Sequence, residues 1–416
     1  MKLKKIIATI LIVSIAAGFC SCGITADFPP SKKIENLAYG NDGGETFESA
    51  VKKFSLNSAA NIFLDVSNKN KNLCYSPVSL YIALALTATG AENQTQSEMF
   101  EVLGLNGKDK DYISSQAKIL LTKMQSNNLK IADSIWLKKD AELKKDFEKN
   151  AKDNFYSPVF NVDFKDVPAT PELMKKWVED NTNQLISPEF AYADPDIFMY
   201  IINTLYYKSS WEDGFYKQAN TRELFHGING QDAECDFMNK IIWAHSYFKG
   251  HGFIASYINF NDGAKMTFIL PDEDTDIYDL LKSPKKLEYI FDENNVKTGD
   301  VTFKVPKFES KSSFDLNGAL KKMGMTQAFL PNGADFSGIT NEPVYIDQVS
   351  QDTYIKVDEN GVEAAAMTKI AAKASGIVER EPNDKINLFL DRPFIYFITD
   401  KNGIILFEGV IFNLNQ

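Results

Sequence analysis

Residues that could do chemistry are few in this chain of 416 residues. The chain has three histidines, His226, His245 and His251. Their spacing matches neither a metal site nor a catalytic triad. The run from Gly250 to Ala255 has the glycine spacing of a dinucleotide-binding turn. A strand-like run follows it, however, where phosphate binding needs a helix N-terminus. We therefore predict no enzyme, no metal ion and no cofactor.

The most unusual pattern lies in residues 357–394, a stretch rich in alanine. Alanine and lysine favour a helix by propensity, but the alternation of this stretch is that of a strand. Every even position in 362–374 is apolar or small, whereas the charged Glu363, Lys369 and Lys373 fall on odd positions. The pattern therefore predicts a strand with one buried face that is made of unusually small side chains.

The elements around this stretch predict an α+β fold. The composition, 44% hydrophobic and 24% charged, is enough to bury a large core. Helical periodicity crowds the first half, strand-like runs crowd the second, and no repeat or linker separates them. The helical segments are 48–67, 77–91, 172–186 and 314–324, and the strand-like runs are 131–137, 198–207, 265–271, 301–309, 353–357, 394–400 and 404–412.

The N-terminal segment predicts export. Residues 1–22 have a basic start, an apolar centre too short to span a bilayer and a small-residue end, which together resemble a bacterial lipoprotein signal. Cys22 follows the small Ser21 and fits the lipidated position better than Cys20 does. Residues 23–45 are rich in Gly, Pro and Asn and suit a flexible tether. We expect a lipid anchor in the bacterial cell envelope, periplasmic or surface-exposed, with plain secretion as the alternative.

Charge and cysteine content exclude two further classes. The formal net charge of −11 argues against nucleic acid as a partner. Past the signal only Cys74 and Cys235 remain, so the chain is no disulfide framework. Cys74 lies in an apolar stretch, and we predict that it is a buried free thiol.

Seven motifs, taken in order, resemble the serpin family. They lie at 72–95, 177–186, 201–215, 305–340, 357–368, 392–400 and 405–410, and include NLCYSPVSLYIALALTATGAENQT, WVEDNTNQLI, IINTLYYKSSWEDGF, VDENGVEAAAMT and RPFIYFITD. The resemblance covers residues 46–416. It implies the serpin fold, an α+β monomer of three β-sheets surrounded by eight or nine helices, with an exposed reactive-centre loop at about 359–392.

The resemblance also implies a function for the alternating stretch. In serpins a target serine protease cuts this loop and is trapped as an acyl-enzyme, because the cut loop inserts as a new strand into the main sheet; serpin loop insertion is itself a standard example of strand addition. The implied hinge comprises Glu359, Gly361, Val362, Glu363, Ala364, Ala365, Ala366, Met367 and Thr368. Glycine would let the backbone swing, and small uncharged side chains would let the strand enter. A non-inhibitory binding or chaperone-like serpin is the alternative.

The scissile bond of the loop, called the bait bond below, is predicted at Ser375–Gly376 by counting residues along the loop from its hinge. A small residue there suits elastase-like or subtilisin-like proteases, and the neighbouring candidates are Lys373 and Ala374. Lys373 would suit a trypsin-like enzyme, and some cysteine proteases remain open as targets. Cutting at Arg380 would lengthen the chain between the hinge and the protease by about 16 Å. The protease should then escape, so Arg380 is expected to be a substrate site and not an inhibitory one.

The resemblance assigns five further residues to the opening of the main sheet. Ser76, Ser79 and Asn203 would form a polar cluster beneath it, with Gln351 in the position usually held by a histidine. Glutamine can donate and accept hydrogen bonds, but it lacks the pH sensitivity of an imidazole. Trp211 would lie at the top, where the loop enters. Ordinary core packing is the alternative for all five, and the start of a helix is an alternative for the two serines.

Overall fold

Nine α-helices occur in the part of the chain that the structure describes, and six of them precede residue 182. They are α1 (Phe47–Phe63), α2 (Pro77–Thr89), α3 (Asn93–Leu103), α4 (Lys110–Met124), α5 (Lys145–Phe155), α6 (Ala169–Asn181), α7 (Ile277–Leu281), α8 (Pro284–Glu288) and α9 (Asn317–Met323). Their starts follow local chemistry, since Thr46 and Asp109 accept hydrogen bonds from the first turns of α1 and α4. The four segments with helical periodicity correspond to α1, α2, α6 and α9.

The computed structural model describes residues 34, 37–38, 45–126, 128–190, 198–363 and 384–414. The chain forms two units, Met1–Lys33 and Ile34–Gln416, and the first of them lies outside the described residues. Among the described helices, none is both long enough and apolar enough to cross a membrane.

Sixteen strands occur in the same ranges. They are β1 (Leu73–Tyr75), β2 (Leu129–Lys138), β3 (Val159–Val162), β4 (Met199–Tyr207), β5 (Ser209–Ser210), β6 (Thr221–Phe225), β7 (Ala233–Gly250), β8 (Phe253–Asn259), β9 (Lys265–Pro271), β10 (Lys297–Pro306), β11 (Phe308–Asp315), β12 (Gln348–Asp358), β13 (Gly361–Val362), β14 (Asp384–Phe389), β15 (Phe394–Thr399) and β16 (Ile405–Ile411). Every strand-like run of the sequence lies within or overlaps one of them.

The strands form two hydrogen-bonded networks. One has the order β1-β16-β15-β9-β8-β7-β10-β14, with β6 paired to β7. The other, which we call the main sheet, has the order β3-β2-β4-β12-β13-β5, with β11 paired to β12. The α+β class is thus confirmed, while two of the three expected sheets join. The reason is the 18-residue β7, which pairs with β6 at its start, with β10 along its middle and with β8 at its end.

Helix α2 supports the main sheet from beneath. All thirteen of its residues are buried, because it is apolar all round and packs against β2, β4 and β16. Pro77 at its first position has a backbone angle that suits a helix start. The free thiol of Cys74, just before α2, is buried as predicted. The polar residues at the start of α2 are therefore held against the strands of the main sheet.

The main sheet parts between β4 and β12. These strands run parallel and pair from Gln348 opposite Tyr200 to Asp352 opposite Thr204, where the ladder ends. Further along, β13 lies between β12 and β5 and pairs antiparallel with both. The interval between the end of the ladder and β13, bordered by residues 205–208 and 353–356, is called the seam below.

Candidate functional site

Gln351 closes the lower end of the seam through hydrogen bonds to the backbone of Ser76. Its Oε1 accepts a hydrogen bond from the Ser76 amide at 2.8 Å, and its Nε2 donates to the Ser76 carbonyl oxygen, also at 2.8 Å. Nε2 also donates to Oδ1 of Asn203. Gln351 is wholly buried, so its amide is satisfied on both sides. A glutamine therefore completes this cluster through its paired donor and acceptor, without an imidazole.

Asn203 is the centre of the cluster. Its Nδ2 donates one hydrogen bond to Oγ of Ser79 and a second to Oδ1 of Asp133, while its Oδ1 accepts from Gln351. The Ser79 hydroxyl in turn donates to the carbonyl oxygen of Thr204 at 3.1 Å, at the residue where the ladder ends. The structure thus brings Ser76, Ser79, Asn203 and Gln351 together. They link α2, β4 and β12 at one level of the main sheet.

Asp133 belongs to the same cluster, although no motif pointed to it. It lies on β2 directly opposite Asn203 and is 4% exposed. Burial raises the pKa of its carboxyl to about 8, against a smaller lowering effect of the hydrogen bond from Asn203. The sequence held only a weak signal, one acid in a strand that also carries Lys130, Ser134 and Lys138. An acid at such a position is costly unless it is neutral or paired.

Ser76 contributes its backbone and not its side chain. It occupies the N-cap position of α2, but its hydroxyl makes no capping hydrogen bond. Among the described residues its buried Oγ has no hydrogen-bond partner, whereas both of its backbone groups bind Gln351. Ser76 therefore lies at the start of a helix, as the alternative has it, but its side chain does not cap that helix.

Trp211 anchors the upper end of the seam. Its indole nitrogen donates to the carbonyl oxygen of Asp358 at 2.9 Å, and its backbone amide donates to the carbonyl oxygen of Asn360 at 2.9 Å. The ring stacks on Phe260 with a centroid distance of 4.4 Å and is 3% exposed. This tryptophan therefore holds the chain that leads from β12 into the loop.

Gly361 must be glycine for two reasons. Its φ of +145° lies in the region that side chains disfavour, and a Cβ there would lie 2.1 Å from the carbonyl oxygen of Ser209. Gly361 pairs with Ser210 on one side and Asp358 on the other, while the buried Val362 pairs with Ser209 and Val357. The first residues of the loop thus already form a strand within the main sheet.

Glu359 is fixed by side chains beside this strand. Its Oε1 accepts from Nδ2 of Asn220 at 2.6 Å and lies 3.3 Å from Nζ of Lys307. Burial acts to raise the pKa of Glu359, but its own backbone amide, Asn220 and Lys307 together lower it. Its backbone carbonyl also accepts from the amide of Phe215 at 3.1 Å. The turn before Gly361 is thereby held in a charged and hydrogen-bonded setting.

Glu363 follows β13 at the upper end of the seam and is the last described residue before position 364. Its amide donates to the carbonyl oxygen of Lys356 at 3.0 Å, and its carboxylate accepts from the hydroxyl of Tyr206 at 3.3 Å. Its φ of +50° turns the chain out of the strand direction. Burial raises the pKa of Glu363. The side chain is partly exposed, so the odd position that the alternation placed outward lies at the rim of the seam.

Several predicted site residues lie outside the described residues. They are the hinge residues Ala364, Ala365, Ala366, Met367 and Thr368, the bait-bond candidates Lys373, Ala374, Ser375 and Gly376, Arg380, and the lipidation candidates Cys20 and Cys22. Their roles stay predictions.

The histidines take structural positions. His245 Nε2 lies 2.7 Å from the carbonyl oxygen of Tyr257, and burial lowers the pKa of His245. His226 lies on the surface beside Asp232. Within the described ranges, no group of three or more His, Cys, Asp or Glu side chains could hold a metal ion. The contacts described in this region are those of strand pairing and of a buried polar cluster.

Comparison with known sequences identifies relatives across nearly the whole domain. The model of the serpin family, described as serine protease inhibitor, matches residues 49–414. An uncharacterized serpin-like protein from Methanosarcina acetivorans is 29% identical over 380 residues, covering 87% of each chain. Human neuroserpin is 26% identical and covers 88% of this chain and 92% of its own.

Comparison with solved structures gives the same fold. The thermophilic serpin tengpin in its native state is 28% identical, with a TM-score of 0.80 over 92% of this chain and 97% of its own. In its latent state the TM-score falls to 0.74, over 91% and 100%. Thyroxine-binding globulin in complex with thyroxine, at 23% identity and a TM-score of 0.76 over 89% and 99%, shows the fold alone. The described residues are thus more similar to the native form of tengpin than to the latent one.

Proposed function

The chain belongs to the serpin family, and on that premise we propose that it is an irreversible suicide-substrate inhibitor of serine proteases. The family typically binds target proteases and does not act as an enzyme. In the proposed mechanism the protease cuts the loop, forms an acyl-enzyme, and is carried along as the loop enters the main sheet. Distortion of the oxyanion hole and triad of the protease then stops deacylation.

The observation that carries the proposal is the seam with β13 at its upper end. Gly361 and Val362 already pair with β12 and β5 at the upper end of the seam. At its lower end, β4 and β12 are paired up to Thr204 and Asp352, and no described strand lies between them. A longer strand would continue from Val362 into the seam in the register that β13 has begun. The sequence that follows, Ala-Ala-Ala-Met-Thr after Glu363, is small and uncharged. Burying it meets no unpaired charge and little steric resistance.

The energy available supports trapping. About a dozen new ladder hydrogen bonds at about 1 kcal/mol each give on the order of 10 kcal/mol, comparable with the stability of a whole domain. The inserted segment, residues 362–375, would span about 46 Å at about 3.3 Å per residue, so an attached protease would travel to the opposite pole.

The target class follows from the residues at the proposed bait bond. Ser375 and Ala374 are small, which favours proteases with shallow specificity pockets, of elastase or subtilisin type. Lys373 offers a trypsin-like alternative with a shorter tether, and cysteine proteases are a further class to assay. Arg380 leaves more slack in the chain and is proposed as a site of unproductive cleavage.

The test is incubation of the purified domain with an elastase-type and a trypsin-type protease, followed by intact mass analysis under denaturing conditions. A covalent adduct with release of residues 376–416 supports both the mechanism and the bond. Cleavage at this bond without an adduct refutes inhibition and leaves a serpin-fold protein of another function.

We also propose an envelope location, which rests on the N-terminal sequence. Cys22, or Cys20 in its place, would carry the lipid that anchors a monomeric inhibitor to the membrane. Metabolic labelling with an alkyne fatty acid should tag the full chain and fail on Cys22→Ser. Equal labelling of Cys22→Ser and loss on Cys20→Ser would move the anchor to Cys20, and no labelling of any form would favour plain secretion.

A further inference from the structure

The side chains of Asp133, Asn203 and Gln351 form a line across the main sheet. Asp133 on β2 is in register with Asn203 on β4, and Asn203 is in register with Gln351 on β12. This level lies one residue before the end of the β4–β12 ladder at Thr204 and Asp352. A strand that enters the seam must therefore separate Thr204 from Asp352 first and then break this line of side chains.

The hydrogen bonds of the line have one direction. Both hydrogens of Gln351 Nε2 are used, on the Ser76 carbonyl and on Asn203, and both hydrogens of Asn203 Nδ2 are used, on Ser79 and Asp133. The line therefore ends on an acceptor oxygen of Asp133. Parting β4 from β12 breaks the bond between Gln351 and Asn203, while Asn203 stays with Asp133.

Within the described residues, burial and the hydrogen bond from Asn203 are what shift the pKa of Asp133, and no nearby charge compensates a negative carboxylate. The groups facing it are neutral, namely Ser79 of α2, Asn203 of β4 and, through Asn203, Gln351 of β12. Asp352, next to Gln351 on β12, is a buried carboxyl, but consecutive strand residues face opposite sides of a sheet. On its other side Asp133 lines a cavity of about 90 Å³, together with Leu121, Met124, Gln125, Leu129, Ile131, Phe155 and Tyr156. Of these side chains only that of Tyr156, beside α5, can ionise, and it is 49% exposed.

The same cavity offers room for water beside Asp133. Its volume is enough for a few water molecules, and a polar wall group such as Asp133 is the kind of partner that buried water needs. The closed sheet keeps the carboxyl in its neutral form, because burial raises the pKa to about 8. Once the seam opens, water reaches the cluster and a carboxylate there is solvated.

We propose that Asp133 makes the opening of the main sheet proton-dependent: its neutral carboxyl keeps the line of Asp133, Asn203 and Gln351 closed, and loss of the proton favours the parting of β4 and β12. The closed state binds the proton and the open state releases it, so opening becomes easier as pH rises from about 4 to about 8. This regulation rests on the proposed function, since it concerns the seam that takes the loop.

A peptide uptake assay tests the proposal without any protease. A fluorescent synthetic peptide with the sequence of residues 362–375 is incubated with the intact domain, and its incorporation is followed on native gels from pH 5.5 to 8.5. Complete ionisation on opening would give about a hundredfold rise in rate between pH 6 and pH 8, and we expect at least tenfold. Asp133→Asn keeps the acceptor oxygen but cannot titrate, and should change less than about twofold over the same range. The pH dependence should persist in Asp352→Asn, which removes the second buried carboxyl at the end of the ladder, whose pKa burial also raises. Its loss in that variant would assign the proton to Asp352 and overturn the role of Asp133.

The outcomes separate this proposal from the one on which it rests. Uptake by the wild type with the same pH dependence as Asp133→Asn overturns the role of Asp133 and leaves loop insertion intact. Failure of both proteins to take up peptide at every pH overturns loop insertion and this proposal with it. Asp133→Ser, which also removes the carboxyl, gives the same readout should the asparagine variant fail to fold.

Discussion

The two ends of the seam are held by different kinds of contact. At the lower end, buried side chains from α2, β2, β4 and β12 form one hydrogen-bonded cluster around Asn203. At the upper end, Trp211 and the strand β13 hold the chain mainly through backbone groups, and ion pairs at Glu359 lie near the surface. A backbone ladder accepts many sequences and can be extended, whereas a side-chain cluster fits one arrangement. Under the proposed mechanism, the upper end would admit the loop and the lower end would resist it.

The largest effect is expected at the upper end, from Val362→Arg. Val362 is 2% exposed between β12 and β5, and burying an unpaired guanidinium there costs several kcal/mol. The loop should leave the sheet, so covalent complex formation should fall at least about 100-fold while cleavage continues. Val362→Ala is the control and should keep most complex formation. Equal trapping by the arginine variant would show that β13 is not the start of insertion.

At the lower end, Gln351→Ala should be the most destabilising change. It leaves the Ser76 amide and Oδ1 of Asn203 without partners in a buried site, and the Ser76 carbonyl keeps only its bond from the Leu80 amide. Each unmet group costs about 1–3 kcal/mol, so the free energy of unfolding should fall by about 4 kcal/mol. Urea denaturation measures it, and Gln348→Ala on the same strand is the control. A loss below about 1 kcal/mol would mean that the cluster does not close the seam.

The carboxyl of Asp133 gives the lower end a pH dependence of its own. Its pKa is raised to about 8 in the native state, so its contribution to stability is complete below about pH 4 and is lost as pH rises towards 8. Between pH 5 and pH 8 the wild type should lose about 3 kcal/mol more than Asp133→Asn does. Urea denaturation at several pH values measures the difference. Parallel pH profiles would show that the carboxyl is already ionised in the closed sheet.

The smallest effect is expected from Glu359→Gln. The ion pair of Glu359 with Lys307 lies near the surface, where such pairs contribute less than about 1 kcal/mol and are screened by salt. The free energy of unfolding should change by less than that at low salt and not at all in 1 M NaCl. A change as large as that of Gln351→Ala would remove the contrast between the two ends.

Much of the fold could be predicted because the pattern along each element is local. The alternation at 265–271 and the apolar run at 77–89 are visible without any partner, and both became β9 and α2. The 18-residue β7 was not predicted, because its polar and aromatic residues alternate irregularly and its pairing with β6, β8 and β10 is decided by distant strands.

The site divides in the same way. The resemblance gave Ser76, Ser79, Asn203 and Gln351 as a group, and the glycine at 361 as a hinge. It could not give the contact of Gly361 with the carbonyl oxygen of Ser209, because that contact depends on β5 lying beside the loop. Asp133 was missed because burial is a property of the folded sheet, and a single acid in a strand is ordinary when one face is solvated.

The account depends most on whether the loop enters the seam, and heat stability tests this directly. The domain is cut within residues 364–383 by a protease that it does not trap, and the melting temperatures of the intact and cut forms are compared by circular dichroism. A gain of about 10 kcal/mol on insertion predicts that the cut form melts about 20 °C higher. A cut form that melts at the temperature of the intact domain, or below it, would contradict loop insertion and the inhibitory function built on it.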